Sequence, residues 1–379
     1  MRVVFLTHNF PRWSGDVSGA FLATLAHALI ALGHQITVLA PSDGGETGSP
    51  DFEGISVKRI RYGSPDQETI AYRGNMQDAI RHPAGWKSLV RLWRGLRRAS
   101  QAEVARGADV VHAHWWVPGG LAAPTGVPLV LTVHGTDGAL LRRSALARWV
   151  ATPIFRRAKV VTAVSRSLAE TVHTATGCSI AHIQPMPVDV SRYQKWSEGG
   201  GGLVLVSRFT PQKRVDLALR TVAALRDRGR ATPLRIIGDG PGRLALEALC
   251  RDLGLEGLVT FDGAVPPADI PSRIGNADVM IFPAVGEGFG LVAAESFMCG
   301  VPVVACRDGG GILDVVPETG AGRLSDPEPA ALAAAIESAL AEPLAVAEAR
   351  RLGSEWRLRL DPMTVARACA AWYSEALPA

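Results

Sequence analysis

Short, continuous apolar runs alternate along the chain with longer stretches of helical period. VVFL comes first. Residues 21–32 follow with Phe21, Leu22, Leu25, Leu29 and Leu32 on one stripe, and then ITVLA, a β-α-β opening. The runs VVHAH (110–114), PLVLTVH (128–134) and AKVVTAV (158–164) are Val-rich and do not alternate, as expected of parallel strands covered by helices on both faces. The pattern breaks in QPMPVDVSRYQKWSEGGGG (184–202), where prolines and four consecutive glycines predict an interdomain linker. A second series starts with LVLVS (203–207), a helix near 213–228 and LRIIG (234–238). It continues with a helix near 242–253, LVTF (258–261), DVMIFP (278–283) and VPVVAC (301–306). The tail from Pro362 reads as one amphipathic helix.

This order implies an α/β protein of two Rossmann-like domains, 1–187 and 188–360, with 361–379 as a helix packing back on the first. A length of 379 residues suits two domains, and 47% hydrophobic with 20% charged residues excludes disordered and fibrous classes. The apolar run at the N-terminus is too short for a secretory segment or a spanning helix, so a cytoplasmic protein is expected. Five cysteines without a C-x-x-C pair read as reduced core thiols, not a disulfide framework or a structural zinc site. Net charge is uneven: residues 1–187 carry 20 Lys+Arg against 12 Asp+Glu, and residues 188–379 carry 20 against 24. A basic half suits an anionic surface or a phosphorylated ligand.

The candidate chemistry falls at strand ends. In EGFGLVAAESF, Gly288 and Gly290 flank Phe289 after a strand, so the segment Gly288 to Leu291 opens a helix whose free N–H groups suit a diphosphate. Glu287 precedes it, and Glu295 lies a turn and a half inside, where a carboxylate accepts from a ribose diol. In SRFTPQKR, Arg208 ends a strand and Lys213 stands at an expected helix start. Cations there oppose the helix dipole, which points to an anionic ligand. His134 in VHGTDG sits at a strand end before a Gly turn, with Asp137 as a candidate helix cap. Ser18 and Gly19 begin the first helix as a second anion contact or an ordinary cap. IIGDGPG has Arg243 where a dinucleotide motif needs glycine, so it reads as a tight turn. His112 and His114 alternate on one strand without a third metal ligand nearby, and Trp115 and Trp116 follow them. The sequence has no D-x-D pair.

Jointly these segments resemble glycosyltransferase family 4, the retaining, metal-independent transferases of GT-B fold, over nearly the whole chain. The likeness rests on SRFTPQK, the Glu287/Glu295 pair around GFG, IIGDGP, VTFDGAV, HGTD and PVDVSRY. It implies two Rossmann-like domains facing across a cleft, the C-terminal one binding a UDP- or GDP-sugar and the N-terminal one a glycan, lipid-linked or small-molecule acceptor. The nucleotide sugar is then a substrate, and no cofactor or metal is expected. By the resemblance Arg208 and Lys213 bind the diphosphate and Glu295 the ribose. Glu287 with the Gly288 to Leu291 backbone takes the sugar hydroxyls, Gly263 and Val265 lie near the base, and His134 meets the sugar. The loop at Gly19 departs from the family, with Ser18-Gly19-Ala20 where paired glycines are common. A sugar-nucleotide epimerase of the same fold and a non-catalytic nucleotide-sugar-binding protein remain alternative readings.

Residues 81–98 form a basic amphipathic stretch. Trp86, Leu89, Val90, Trp93 and Leu96 are at helical spacing, with Lys87, Arg91, Arg94, Arg97 and Arg98 around them. Two readings follow: peripheral contact with an anionic membrane at its inner face, or a domain helix whose tryptophans face the sheet. No reader motif accompanies the charge, so no nucleic-acid partner is expected.

Overall fold

The computed structural model describes residues 1–45, 50–72, 82–193 and 199–378. In chain order the elements are β1 (Arg2–Leu6), α1 (Ala20–Ala31), β2 (Gln35–Pro41), β3 (Asp51–Phe52), β4 (Ile55–Ile60), α2 (Pro83–Ala105), β5 (Val110–His114) and β6 (Leu129–Val133). They continue with α3 (Thr136–Arg143), α4 (Ala145–Arg157), β7 (Val160–Ala163), α5 (Arg166–Thr176), β8 (His182–Ile183), β9 (Leu203–Val206), α6 (Val215–Asp227), β10 (Leu234–Ile237) and α7 (Arg243–Asp252). The remainder are β11 (Val259–Gly263), α8 (Ile270–Gly275), β12 (Val279–Phe282), α9 (Leu291–Met298), β13 (Val303–Cys306), β14 (Gly322–Ser325), α10 (Pro329–Ala341), α11 (Ala345–Leu360) and α12 (Pro362–Ala376).

The chain folds as two compact units, Met1–Asp189 with Leu360–Ala379, and Val190–Arg359. The divisions fall at 189/190 and 359/360, not at 187/188 and 360/361, and the reason is local. Part of the expected linker, the 3-10 turn Val190–Tyr193, belongs to the second unit, where the Tyr193 ring is buried. Leu360 is also buried, and its carbonyl accepts from the Val188 N–H of the first unit at 3.1 Å. Residues 194–198 of the linker lie outside the described residues.

The first sheet has the order β3-β4-β2-β1-β5-β6-β7-β8, parallel except for the β3–β4 pair. The second is wholly parallel, in the order β11-β10-β9-β12-β13-β14. Strands β5 and β6 are buried at every position, which is why they read as unbroken apolar runs. In the second unit Leu205, Ile236 and Ile281 of the sheet pack with Leu219 and Val222 of α6 and Leu332 and Ile336 of α10. Each fully buried aliphatic side chain of this kind contributes about 1.5–3 kcal/mol against exposure. In both sheets the winding reverses once, between β1 and β5 and between β9 and β12, and open α/β sheets hold ligands beside such a point at the C-terminal ends of their strands.

The C-terminal helix α12 belongs to the first unit. It packs on α1, Trp372 stacks on His182 at 5.6 Å, and the Tyr373 hydroxyl meets His112 Nδ1 at 2.8 Å. Among the described residues no single helix is long and apolar enough to cross a membrane.

Candidate functional site

In the second unit, three loops converge beside the reversal point. After β9 the chain runs through Ser207 and exposed Arg208 to a 3-10 turn, Pro211–Lys213. After β12 it runs through Glu287 to Gly290, and after β13 through Asp308 to Gly311. Backbone bonds clip them together: Val285 N–H donates to the Gln212 carbonyl at 3.0 Å, Glu287 N–H to Gly309 at 2.7 Å and Gly311 N–H to Glu287 at 2.8 Å. The result brings the Lys213 ammonium onto the Glu287 carboxylate, both largely shielded from solvent. An ammonium has three donors, so two remain for a ligand.

Lys213 is not at the start of an α-helix, as the spacing suggested. Arg214 intervenes in the left-handed region with φ 47° and caps α6, its guanidinium paired with Asp308 at 2.7 Å. That left-handed residue ends the 3-10 turn and separates Lys213 from the helix that follows. The expected conflict with the dipole therefore falls on Arg214, which the sequence reading passed over. Arg208 stays exposed, and its guanidinium has no protein partner among the described residues.

Gly290 caps α9 with φ 95°, and a Cβ there would stand 2.6 Å from Ile312 Cδ1, so glycine is required. Among the described residues no protein acceptor faces the N–H groups of Gly288, Phe289, Gly290, Leu291 or Val292. That open row at a helix start suits an anion or sugar oxygens. The Phe289 ring points away from it, buried against Trp356 at 5.6 Å, so only its backbone faces the site.

Glu295, in the middle of α9, is hydrogen-bonded by Tyr193, and burial raises its carboxyl above the ordinary value. The phenol of Tyr193 is pushed up by burial and by Glu295, so it stays a donor. Arg357 donates to the Tyr193 and Met298 carbonyls, which fixes this corner. Gly263 and Val265 lie at the end of β11, with Gly263 beside Arg243. The IIGDGP glycines serve close packing: a Cβ on Gly238 would fall 1.9 Å from the Ser207 carbonyl.

In the first unit the corresponding edge is made of rings. His114 Nδ1 meets His134 Nε2 at 3.1 Å, and the His112 ring lies tilted against His114 at 4.1 Å between centroids. Trp115 lies between His8 and His134, at 4.1 and 4.3 Å, and Phe21 covers His134 at 5.4 Å. Trp115 and Trp116 are thus buried wall, not exposed platforms. Burial lowers all four imidazoles, His8 to about 4, His112 to about 3, and His114 and His134 well below the usual value. Asp137 does not cap α3, whose first cap is Gly135. Its carboxylate instead folds back to accept from Gly135 N–H at 2.8 Å and His134 N–H at 3.2 Å, with burial raising it to about 6. Gly19, not Ser18, caps α1, and lies against the Asn9 carbonyl. Among the described residues no group of three or more His, Cys, Asp or Glu is arranged to hold a metal ion.

The basic stretch 81–98 corresponds to α2; Arg81 lies outside the described residues. Its apolar stripe divides. Leu92 and Leu96 are buried and the Trp93 indole donates to the Leu121 carbonyl at 3.1 Å, whereas Trp86 is 51% and Val90 37% exposed. Lys87, Arg91, Arg94 and Arg98 are exposed as well. Helix α4, packed like α2 against the turn Trp116–Gly120, adds Leu146 and Trp149, 63% and 75% exposed.

A family model described as "Glycosyltransferase Family 4" matches residues 18–192, and one described as "Glycosyl transferases group 1" matches 193–358. A GDP-mannose-dependent alpha-(1-6)-phosphatidylinositol monomannoside mannosyltransferase of Mycolicibacterium smegmatis is 28% identical over 94% of this chain and 94% of its own length. A sucrose-phosphate synthase structure from Thermosynechococcus elongatus aligns over 99% of both chains at TM-score 0.79 and 20% identity. HepE from Anabaena, solved in complex with UDP and glucose, aligns over 99% of both chains at TM-score 0.74 and 22% identity. These solved structures establish the fold.

Proposed function

Because the chain belongs to glycosyltransferase family 4 and is a glycosyltransferase, we propose that it moves a hexosyl group from a UDP- or GDP-sugar to a hydroxyl of a glycan, lipid-linked or small-molecule acceptor, with retention and without a metal. The observation that carries this reading is the Lys213–Glu287 pair set beside the open N–H row of Gly288 to Val292. A diphosphate leaving group gains negative charge as the bond to the anomeric carbon breaks. Lys213 and the start of α9 are donors fixed in advance for that charge, and the exposed guanidinium of Arg208 is a further donor that orders on the ligand. In this reading the acceptor oxygen attacks the face that the diphosphate leaves, and its proton passes to the departing phosphate oxygen. Glu295, steadied by Tyr193, takes the ribose. The free oxygen of Glu287 takes a sugar hydroxyl and Gly263 and Val265 flank the base, while the family resemblance assigns Gly19 a diphosphate contact and His134 a sugar contact.

The test is transfer from an α-configured UDP- or GDP-hexose, with the product anomer read by NMR, in buffer containing EDTA. An α-linked product formed at undiminished rate supports the proposal. A β-linked product or loss of turnover in EDTA overturns retention or metal independence. An altered sugar nucleotide formed without any acceptor would make the protein an epimerase.

The exposed Trp86, Val90, Leu146 and Trp149, amid arginines and with no acidic residue in α4 or between Lys87 and Arg98, favour docking on an anionic bilayer at its cytoplasmic face. The expected result is co-sedimentation with phosphatidylglycerol vesicles, lost in Trp86→Ser/Trp149→Ser. Equal binding to neutral phosphatidylcholine vesicles, or no change in the variant, would remove this reading.

A further inference from the structure

The His134 ring has one protein partner for its nitrogens among the described residues, His114, and the arrangement decides which of its nitrogens carries the proton. His114 is fully buried on β5. Its Nδ1 faces His134 Nε2 at 3.1 Å and its Nε2 is buried without a partner. Two tautomers of His114 are open. If the proton were on Nε2, a buried N–H would be orphaned. If it is on Nδ1, only a lone pair is left unmatched, and buried orphan N–H groups are much the rarer of the two. His112, the nearest ring, cannot relieve Nε2, because its own nitrogens are taken by the Tyr373 hydroxyl and by Thr132 Oγ1, both at 2.8 Å. Thr132 in turn shares a 2.7 Å bond with Thr162, so that chain is closed.

We infer that His114 is a positioning residue: its Nδ1–H donates to His134 Nε2, which forces the proton of His134 onto Nδ1 and makes the half-buried edge of that ring a hydrogen-bond donor. His134 is held for this task by its backbone and its ring faces. Asp137 accepts from the backbone N–H groups of His134 and Gly135, and Trp115 and Phe21 bracket the ring. Burial disfavours the imidazolium of both rings, so each carries a single ring proton. A neutral donor suits an oxygen that gains electron density, such as a sugar hydroxyl or a phosphate oxygen, and such an edge cannot take a proton. The inference rests on the transferase reading for its consequence but not for the tautomer.

The test uses full-length protein labelled with nitrogen-15 at histidine, with the His134 signals assigned through His134→Gln. Long-range proton–nitrogen spectra near pH 7.5 should show Nδ1 protonated and Nε2 bare at His134. The pattern should persist in His114→Asn, whose side-chain amide still donates, and collapse to an Nε2–H or averaged pattern in His114→Leu. An Nε2–H His134 in the wild type, or an unchanged spectrum in His114→Leu, would overturn the proposal. In the transfer assay His114→Leu should lower kcat about tenfold at unchanged donor KM, with His114→Asn restoring most of it, since one neutral hydrogen bond is at stake. Equal kcat in wild type and His114→Leu overturns the positioning role. A spectrum as expected from a protein that transfers no sugar leaves the tautomer established and sinks the transferase reading instead.

Discussion

Beside β9 and β12 stand an ion pair and, among the described residues, a guanidinium without a protein partner and a row of open N–H groups. Beside β1 and β5 stand imidazoles and an indole packed at tilted angles, where burial disfavours the charged form of the imidazoles. Strand order around the two points is the same, so topology chose where each site lies and not what it holds. The contrast extends to composition: all nine histidines lie at or before residue 182, none in the second unit. A charged edge suits the phosphates of a donor, whose repulsion must be met. A dry, aromatic edge suits ring faces and hydroxyls, which need shape and a few placed donors. Fixed charge in one unit and excluded charge in the other also make the two units respond differently to mutation and to acid.

The largest expected effect lies on the charged side. Lys213→Ala removes a charge-assisted donor and leaves the Glu287 carboxylate without its cation, so turnover should fall roughly 10- to 100-fold. Stabilisation by the matching nucleoside diphosphate in a thermal-shift panel should vanish with it. Steady-state rates within twofold of wild type would strike Lys213 from the site.

Acid should separate the units next. Below about pH 6.5 the unfolded chain binds protons that buried His8, His112, His114 and His134 refuse, so stability held above that pH drains away as pH falls toward 4. Each such ring costs about 1.4 kcal/mol per pH unit. Urea unfolding at pH 7.5 and pH 5, followed by histidine signals, should show the first unit losing its midpoint steeply, and His8→Leu should flatten the slope. A first-unit midpoint that does not move between these pH values would mean that the rings are solvated.

The smallest effect distinguishes support from contact within the second unit. Tyr193→Phe deletes the phenol that bonds Glu295, and should weaken nucleoside diphosphate binding about fivefold by calorimetry without abolishing it. A loss as deep as that of Lys213→Ala would mean that Tyr193 itself touches the ligand. Unchanged affinity would detach Glu295 from the ribose.

Much of the frame was legible along the chain because a parallel strand buried on both faces needs an unbroken apolar run. VVHAH became β5, and LVLVS, DVMIFP and VPVVAC became β9, β12 and β13 within a residue or two. GFG opened a helix as its glycines implied. Short β3 and β8 were passed over, since two residues carry no period. The stripe of α2 leaves two readings open in the sequence because Trp86 and Val90 share the helical spacing of Leu92 and Leu96, and spacing alone does not say which side meets the sheet.

By itself, then, the sequence determined the order of the long buried strands, the division into two α/β units and the placement of Lys213, Glu287 and His134 at or just beyond strand ends. Local preference and apolar period act within a few residues, and a single chain displays them directly. Only the tertiary structure decided that Lys213 rests on Glu287, that Tyr193 from the linker serves Glu295, and that His114 holds His134. Those pairs are far apart in sequence and meet because parallel strands return every loop of one kind to the same edge, a consequence of chain path that no local pattern encodes.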